Sequence, residues 1–128
     1  LILAGATGSR EHMGWCARVD VALDPFPFAG STTTLETLWM GVPVVTLPGE
    51  TFSSRHSLAF LSVAGVEGCI ARHPADYVDR AAGWAADPAR LAELRRTLRP
   101  RMANGPLCDG RILAEALAKS LRDLTKGT

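Results

Sequence analysis

The stretch Asp20–Glu50, DVALDPFPFAGSTTTLETLWMGVPVVTLPGE, decides the fold. An apolar run from Val19 to Leu23 ends at Asp24, and a loop rich in proline and glycine follows, Pro25 to Gly30. Four hydroxyl residues, Ser31 to Thr34, then stand at the start of a helical pattern over Thr33–Met40. Leu35, Leu38 and Trp39 are spaced by three and four, so they share one face of that helix. A second apolar run, Pro43 to Leu47, comes after it. Both runs are continuous rather than alternating, the pattern of strands buried on both faces of a parallel sheet.

The same alternation extends outward. Leu1 to Ala4 and Cys69 to Ala71 are further strand-sized apolar runs, the first met in mid-fold without an initiator methionine. Ser53–Ala64 predicts a helix with Leu58, Leu61 and Val63 on one face, closed by Gly65 as a C-cap. Pro74 and Pro88 sit where prolines open helices, and Asp87 is placed to cap the second. Leu91, Leu94 and Leu98 form its buried stripe; Asn104-Gly105-Pro106 ends it. Ile112, Leu113, Ala116, Leu117 and Leu121 mark a final amphipathic helix. The expected class is α/β: a Rossmann-like parallel sheet flanked by helices, with C-terminal helices packing back on it, in one unit spanning 1–128.

Composition narrows the function. The chain has 128 residues, 47% hydrophobic and 21% charged, enough for a core, and a net charge of +1. That balance argues against a protein built to coat nucleic acid or an anionic membrane. No apolar run approaches the roughly 20 residues of a membrane span. Cys16, Cys69 and Cys108 are scattered, with neither a disulfide framework nor a CxxC metal signature, which fits a reducing, cytoplasmic setting. His56 and His73 lack the spacing of a zinc site, and Gly30-Ser31 does not make a nucleophile elbow. From Pro88 onward nine basic residues face four acidic ones, against five and nine in the first 87. No aromatic residue interleaves those arginines, so the basic tail reads as a solvated helix face.

The chemistry concentrates after Asp24. In open α/β sheets ligands bind beyond the carboxyl ends of the strands. A helix start adds unpaired N–H groups and partial positive charge, an anion site. Ser31, Thr32 and Thr33 can donate further hydrogen bonds there, and Gly30 lets the backbone approach closely. Glu36, three residues after Thr33, can accept from two ribose hydroxyls. The same Thr33–Glu36 spacing is also a capping box with purely structural meaning. The turn Pro48-Gly49-Glu50 either lines the cleft or simply closes a loop, with Gly49 at positive φ and Glu50 or Thr51 opening a helix. Arg55 either meets a phosphate or pairs with Glu50.

PFPFAGSTTTLETLWMGVPVVTLPGETFSSR resembles the nucleotide-sugar-binding lobe of the SPINDLY and O-linked N-acetylglucosamine transferase family, glycosyltransferases of family 41 type. The resemblance continues more weakly through Tyr77, Leu94 and Pro106-Leu107. It implies the C-terminal half of a GT-B fold, a fragment lacking the N-terminal catalytic lobe and any tetratricopeptide repeats. It implies a UDP-sugar donor, UDP-N-acetylglucosamine in this family, metal-independent transfer without a cofactor, and a protein acceptor. Carried over by position, Ser31, Thr32 and Thr33 hold the diphosphate, Glu36 meets the ribose, His12 lies beside the uracil, and Thr7 falls near a loop whose backbone contacts the base. No catalytic base falls in this chain. Ser31, Ser9 and Trp15 depart from animal members, which carry histidine, lysine and arginine there. Read alone, His12, following Arg10-Glu11 in a polar segment, is better explained as a surface histidine. Two other readings stay open beside the transferase lobe: a stand-alone nucleotide-binding or interaction module, self-associating through its uncovered cleft face, and a generic Rossmann-like domain.

Overall fold

The computed structural model describes residues 2–3, 5–6 and 8–126, and the side chains of all of these except Ser9 and Lys126. Helix α1 (Ser9–Cys16) leads into strand β1 (Ala22–Leu23), and helix α2 (Thr32–Trp39) into strand β2 (Val44–Val45). A 3-10 turn, Phe52–Ser54, precedes α3 (His56–Val63). A second, Glu67–Cys69, precedes α4 (Pro74–Ala85), which is followed by α5 (Pro88–Ala103). A third turn, Pro106–Cys108, leads into α6 (Gly110–Lys126).

β1 and β2 pair in parallel, Ala22 opposite Val44 and Leu23 opposite Val45. A single parallel bridge, Thr46 to Ile70, extends the sheet on the far side of β2. The third strand expected at Cys69–Ala71 is thus reduced to one bridge, because Cys69 is taken up in a 3-10 turn. At the amino-terminal end, Ile2 and Leu3 lie exposed and outside any strand, while Leu1 and Ala4 lie outside the described residues. The expectation of two-sided burial for Pro43 to Leu47 holds for Pro43 to Thr46, and Leu47 is half-buried. It fails for β1, where Leu23 is 59% exposed. Among the described residues β1 has β2 as its one strand neighbour and so stands at the edge of the sheet.

The core forms where α2, α3, α4 and α5 meet β2, around Leu38, Val45, Leu61, Trp84, Leu98 and Met102. α2 and α3 both end in Schellman motifs. Val42 N–H donates to Thr37 and Gly41 N–H to Leu38; Val66 and Gly65 repeat the pattern on Leu61 and Ser62. Gly41 (φ 76°) and Gly65 (φ 67°) supply the left-handed residue each motif needs. The predicted helix over Ser53–Ala64 is interrupted at Arg55, and Val63 is half-exposed rather than on the face of Leu61. Two residues along a helix is about 200° around it, which carries Val63 to the other side.

Asp87 caps α5, its carboxylate accepting from the Arg90 amide. His73 caps α4 by accepting from the Asp76 amide at Nδ1. The basic tail is more than a solvated face. Arg95 donates to the carbonyls of Ala17 and Val19, Arg99 lies over Trp39, and Arg90 lies 3.6 Å from the centre of the Trp84 ring. α6 is amphipathic as expected but does not pack back on the sheet. Its contacts are chiefly with the turn before it, and Leu113, Leu117 and Leu121 stay exposed. Among the described residues no helix is long and apolar enough to cross a membrane.

Candidate functional site

β1 delivers Asp24 to the carboxyl edge of the sheet, and the residue is buried there. Its Oδ1 accepts from the Gly30 amide at 2.7 Å and its Oδ2 from the Thr46 hydroxyl at 2.7 Å. The Tyr77 hydroxyl donates to the Asp24 carbonyl at 3.0 Å. Burial first, and the Asp24 carboxylate second, push the Tyr77 phenol up, so it remains a proton donor. From α3, the buried Ser57 hydroxyl meets the Thr34 hydroxyl at 2.9 Å and donates to the Gly30 carbonyl at 3.2 Å. The loop from Pro25 to Gly30 is therefore tied down at its glycine from two sides. A Cβ on Gly30 would come within 2.5 Å of the Thr34 hydroxyl, so the glycine is required for close packing.

This anchoring sets the start of α2. Ser31 is its N-cap, yet its side chain makes no capping bond. Among the described residues, neither the amides nor the hydroxyls of Ser31, Thr32 and Thr33 have a hydrogen-bond partner. All three residues line a cavity of about 480 Å³ together with Asp24, Phe28 and Gly30. Helix α2 begins at Thr32, one residue earlier than the sequence pattern indicated. The capping-box alternative for Thr33 and Glu36 does not form. Glu36 instead pairs with His12, Oε2 to Nε2 at 3.3 Å. His12, projecting from α1, also lies 3.8 Å from the Cys16 thiol. Glu36 adjoins a smaller apolar cavity of about 240 Å³ with Met13, Leu35 and Trp39.

Of the candidate residues, Ser31, Thr32 and Thr33 thus line the cavity at the start of α2, whereas Glu36 pairs with His12 of α1 and adjoins a different cavity. Thr7 lies outside the described residues. The Pro48-Gly49-Glu50 turn and Arg55 contact each other. Arg55 donates to the Gly49 carbonyl at 2.8 Å, not to Glu50. Gly49 is not at positive φ; it is needed because a Cβ there would sit 2.7 Å from the Ser54 hydroxyl. Thr51 opens the next turn in a capping box with Ser54. Trp15 stacks under Arg18. Cys69 is buried, which pushes its thiol up to about 12 and keeps it neutral. Among the described residues no three His, Cys, Asp or Glu side chains converge as metal ligands.

The sequence marks Asp24 only as a strand end and Thr34 only as one of four hydroxyls at the helix start, and it does not single out Ser57. Asp24 had a usable signal, an acidic residue closing an apolar run six positions before a glycine. Ser57 had none, since its partners are 23 and 27 residues away.

The family model described as Glycosyl transferase family 41 matches residues 1–117. The chain belongs to this family. Among its family 41 relatives, a protein of Solanum lycopersicum described as a probable UDP-N-acetylglucosamine–peptide N-acetylglucosaminyltransferase SPINDLY is 41% identical over 102 residues. That match covers 80% of this chain and 11% of the relative. The UDP-N-acetylglucosamine–peptide N-acetylglucosaminyltransferase of Caenorhabditis elegans is 32% identical over 74% of this chain and 8% of its own length. A solved structure of a mutant O-GlcNAc transferase from Thermobaculum terrenum superposes with a TM-score of 0.80 at 34% identity. It covers 91% of this chain and 23% of that one, which places the family 41 chain in the GT-B class of α/β folds. The chain spans about a tenth of the length of these plant and animal relatives.

Proposed function

We propose that residues 1–128 form the donor-binding lobe of a family 41 protein glycosyltransferase, taking a UDP-sugar at the start of α2. The observation that carries this reading is the row of unpartnered amides and hydroxyls at Ser31, Thr32 and Thr33, open to a cavity at the carboxyl edge of the sheet. Such a helix start suits a diphosphate, because orphan N–H groups and the helix dipole act together there. Glu36 and His12, farther along, would meet the ribose and the uracil, exchanging their mutual contact for the ligand's hydroxyls and ring edge. Thr7 is a further candidate for contact with the base. UDP-N-acetylglucosamine is the donor that the relatives' names suggest, with a polypeptide as acceptor.

In transfer, negative charge grows on the departing diphosphate. Amides already aimed at that position would stabilise it without reorganising. The reading assigns this chain no catalytic base: that group and the acceptor surface belong to a partner lobe, so the chain alone is inactive.

Calorimetric titration with UDP tests the site. Thr32→Ala together with Thr33→Ala should weaken UDP by about 2–3 kcal/mol if each hydroxyl donates a charge-assisted bond. An affinity equal to that of the unaltered chain rejects the diphosphate role.

A further inference from the structure

We propose that Asp24 is the positioning residue of this anion site, acting through the Gly30 amide without touching the ligand; the inference rests on the donor-site reading above. Asp24 is 3% exposed, and no cationic side chain pairs with it among the described residues. A buried, unpaired carboxylate is costly, and beside a site for a diphosphate it also repels the ligand. Hydrophobic packing alone gives no reason for it. Its hydrogen bonds do.

Every polar atom of Asp24 is engaged. Its N–H donates to the Val45 carbonyl and its carbonyl accepts from Tyr77, which fixes the residue to β2 and α4. One carboxylate oxygen takes the Thr46 hydroxyl, and the other takes the Gly30 N–H. Asp24 therefore transfers the position of the sheet to the last residue before α2. Ser57 holds the carbonyl of the same glycine from α3. With both polar groups of Gly30 bound inward, the next three amides are left unspent at the cavity mouth. The side chain is a spacer between sheet and helix start, and the hydrogen-bonding shape, not the charge, is what the role requires.

Asparagine separates these. In Asp24→Asn the carbonyl oxygen can still accept from Gly30, and the amide can donate to Thr46, which then accepts. UDP affinity is measured by calorimetry well below the melting temperature of each variant, so that lost stability does not enter. The expected result is at least a tenfold loss for Asp24→Ala with an unchanged circular dichroism spectrum, and recovery to within threefold of the unaltered chain for Asp24→Asn. Asp24→Ala binding as the unaltered chain does overturns the proposal, as does Asp24→Asn binding as weakly as Asp24→Ala. If Asp24→Ala does not fold, Thr46→Val replaces it: it removes one anchor of the carboxylate and leaves the cleft residues untouched. A measurable loss there supports the positioning role, and none rejects it. An unaltered chain that binds no UDP overturns the donor-site reading and this role with it, whereas binding indifferent to Asp24 overturns the positioning role alone.

Discussion

Gly41 and Gly65 show how one conformational demand acquires two strengths from its surroundings. Both residues lie at positive φ in the same helix-ending motif. A side chain on Gly65 would find only the Arg101 guanidinium, 3.8 Å away and in ordinary contact. On Gly41 it would meet the Arg95 backbone, with Cα at 2.7 Å, and backbone cannot rotate aside. Gly65→Ala should cost about 1 kcal/mol, the price of the left-handed conformation alone. Gly41→Ala should cost more, about 2–4 kcal/mol, because α2 and α5 must also separate. Urea denaturation of the two variants checks the ordering, and equal losses would show that the α2–α5 contact yields. At the same scale the sequence disclosed Ser31 to Thr33 as candidates, because hydroxyls after a glycine are visible in one dimension. It did not disclose that Glu36 faces His12, since that pairing depends on how α1 lies against α2.

Helix α4 carries the clearest pH-sensitive feature among the elements. Asp76, in its first turn, accepts from the Arg72 amide and pairs with the guanidiniums of Arg72 and Arg80. The Arg72 backbone bond is the leading cause that lowers its carboxyl from 3.8 to about 2, with the two arginines adding to it. A folded-state value below the unfolded one means that the stabilisation is complete above the unfolded value. It is lost as pH falls from about 4 through about 2. The gap in melting temperature between the unaltered chain and Asp76→Asn should therefore be constant above about pH 5 and close over that window. A gap undiminished at pH 2 would show that the hydrogen-bond geometry, and not the charge, stabilises the turn. The helices themselves were mostly legible: Pro74, Pro88 and Asp87 act locally, and their roles as helix openers and cap needed no tertiary information. Strand extent was not legible, because a strand is defined by its neighbours. The apolar run Val19–Leu23 supports only a two-residue ladder at a sheet edge.

For the whole molecule, the near-neutral charge agrees with a site made of backbone amides. The donor-site reading expects UDP affinity to fall by less than about threefold between 50 and 200 mM salt, where binding by several lysines and arginines would fall far more steeply. Calorimetry at the two salt concentrations measures this, and a steep decline would move the phosphate contact to cationic side chains such as Arg55. The exposed leucines of α6 belong to this scale as well. Periodicity announced an amphipathic helix, and the fold leaves its apolar stripe without cover among the described residues.

Read alone, the 128 residues determined the α/β class, the helix boundaries marked by proline, glycine and aspartate, and the placing of the candidate anion site after Asp24. Each of these depends on residues within one or two turns of chain, where steric and hydrogen-bonding preferences act directly. Tertiary structure decided what those residues touch. It turned Glu36 from a capping partner into the partner of His12, set Arg55 on the Gly49 carbonyl, and placed Asp24 between Gly30 and Thr46. Those outcomes follow from segments far apart in sequence being packed at fixed separations, and only the closed core imposes such separations.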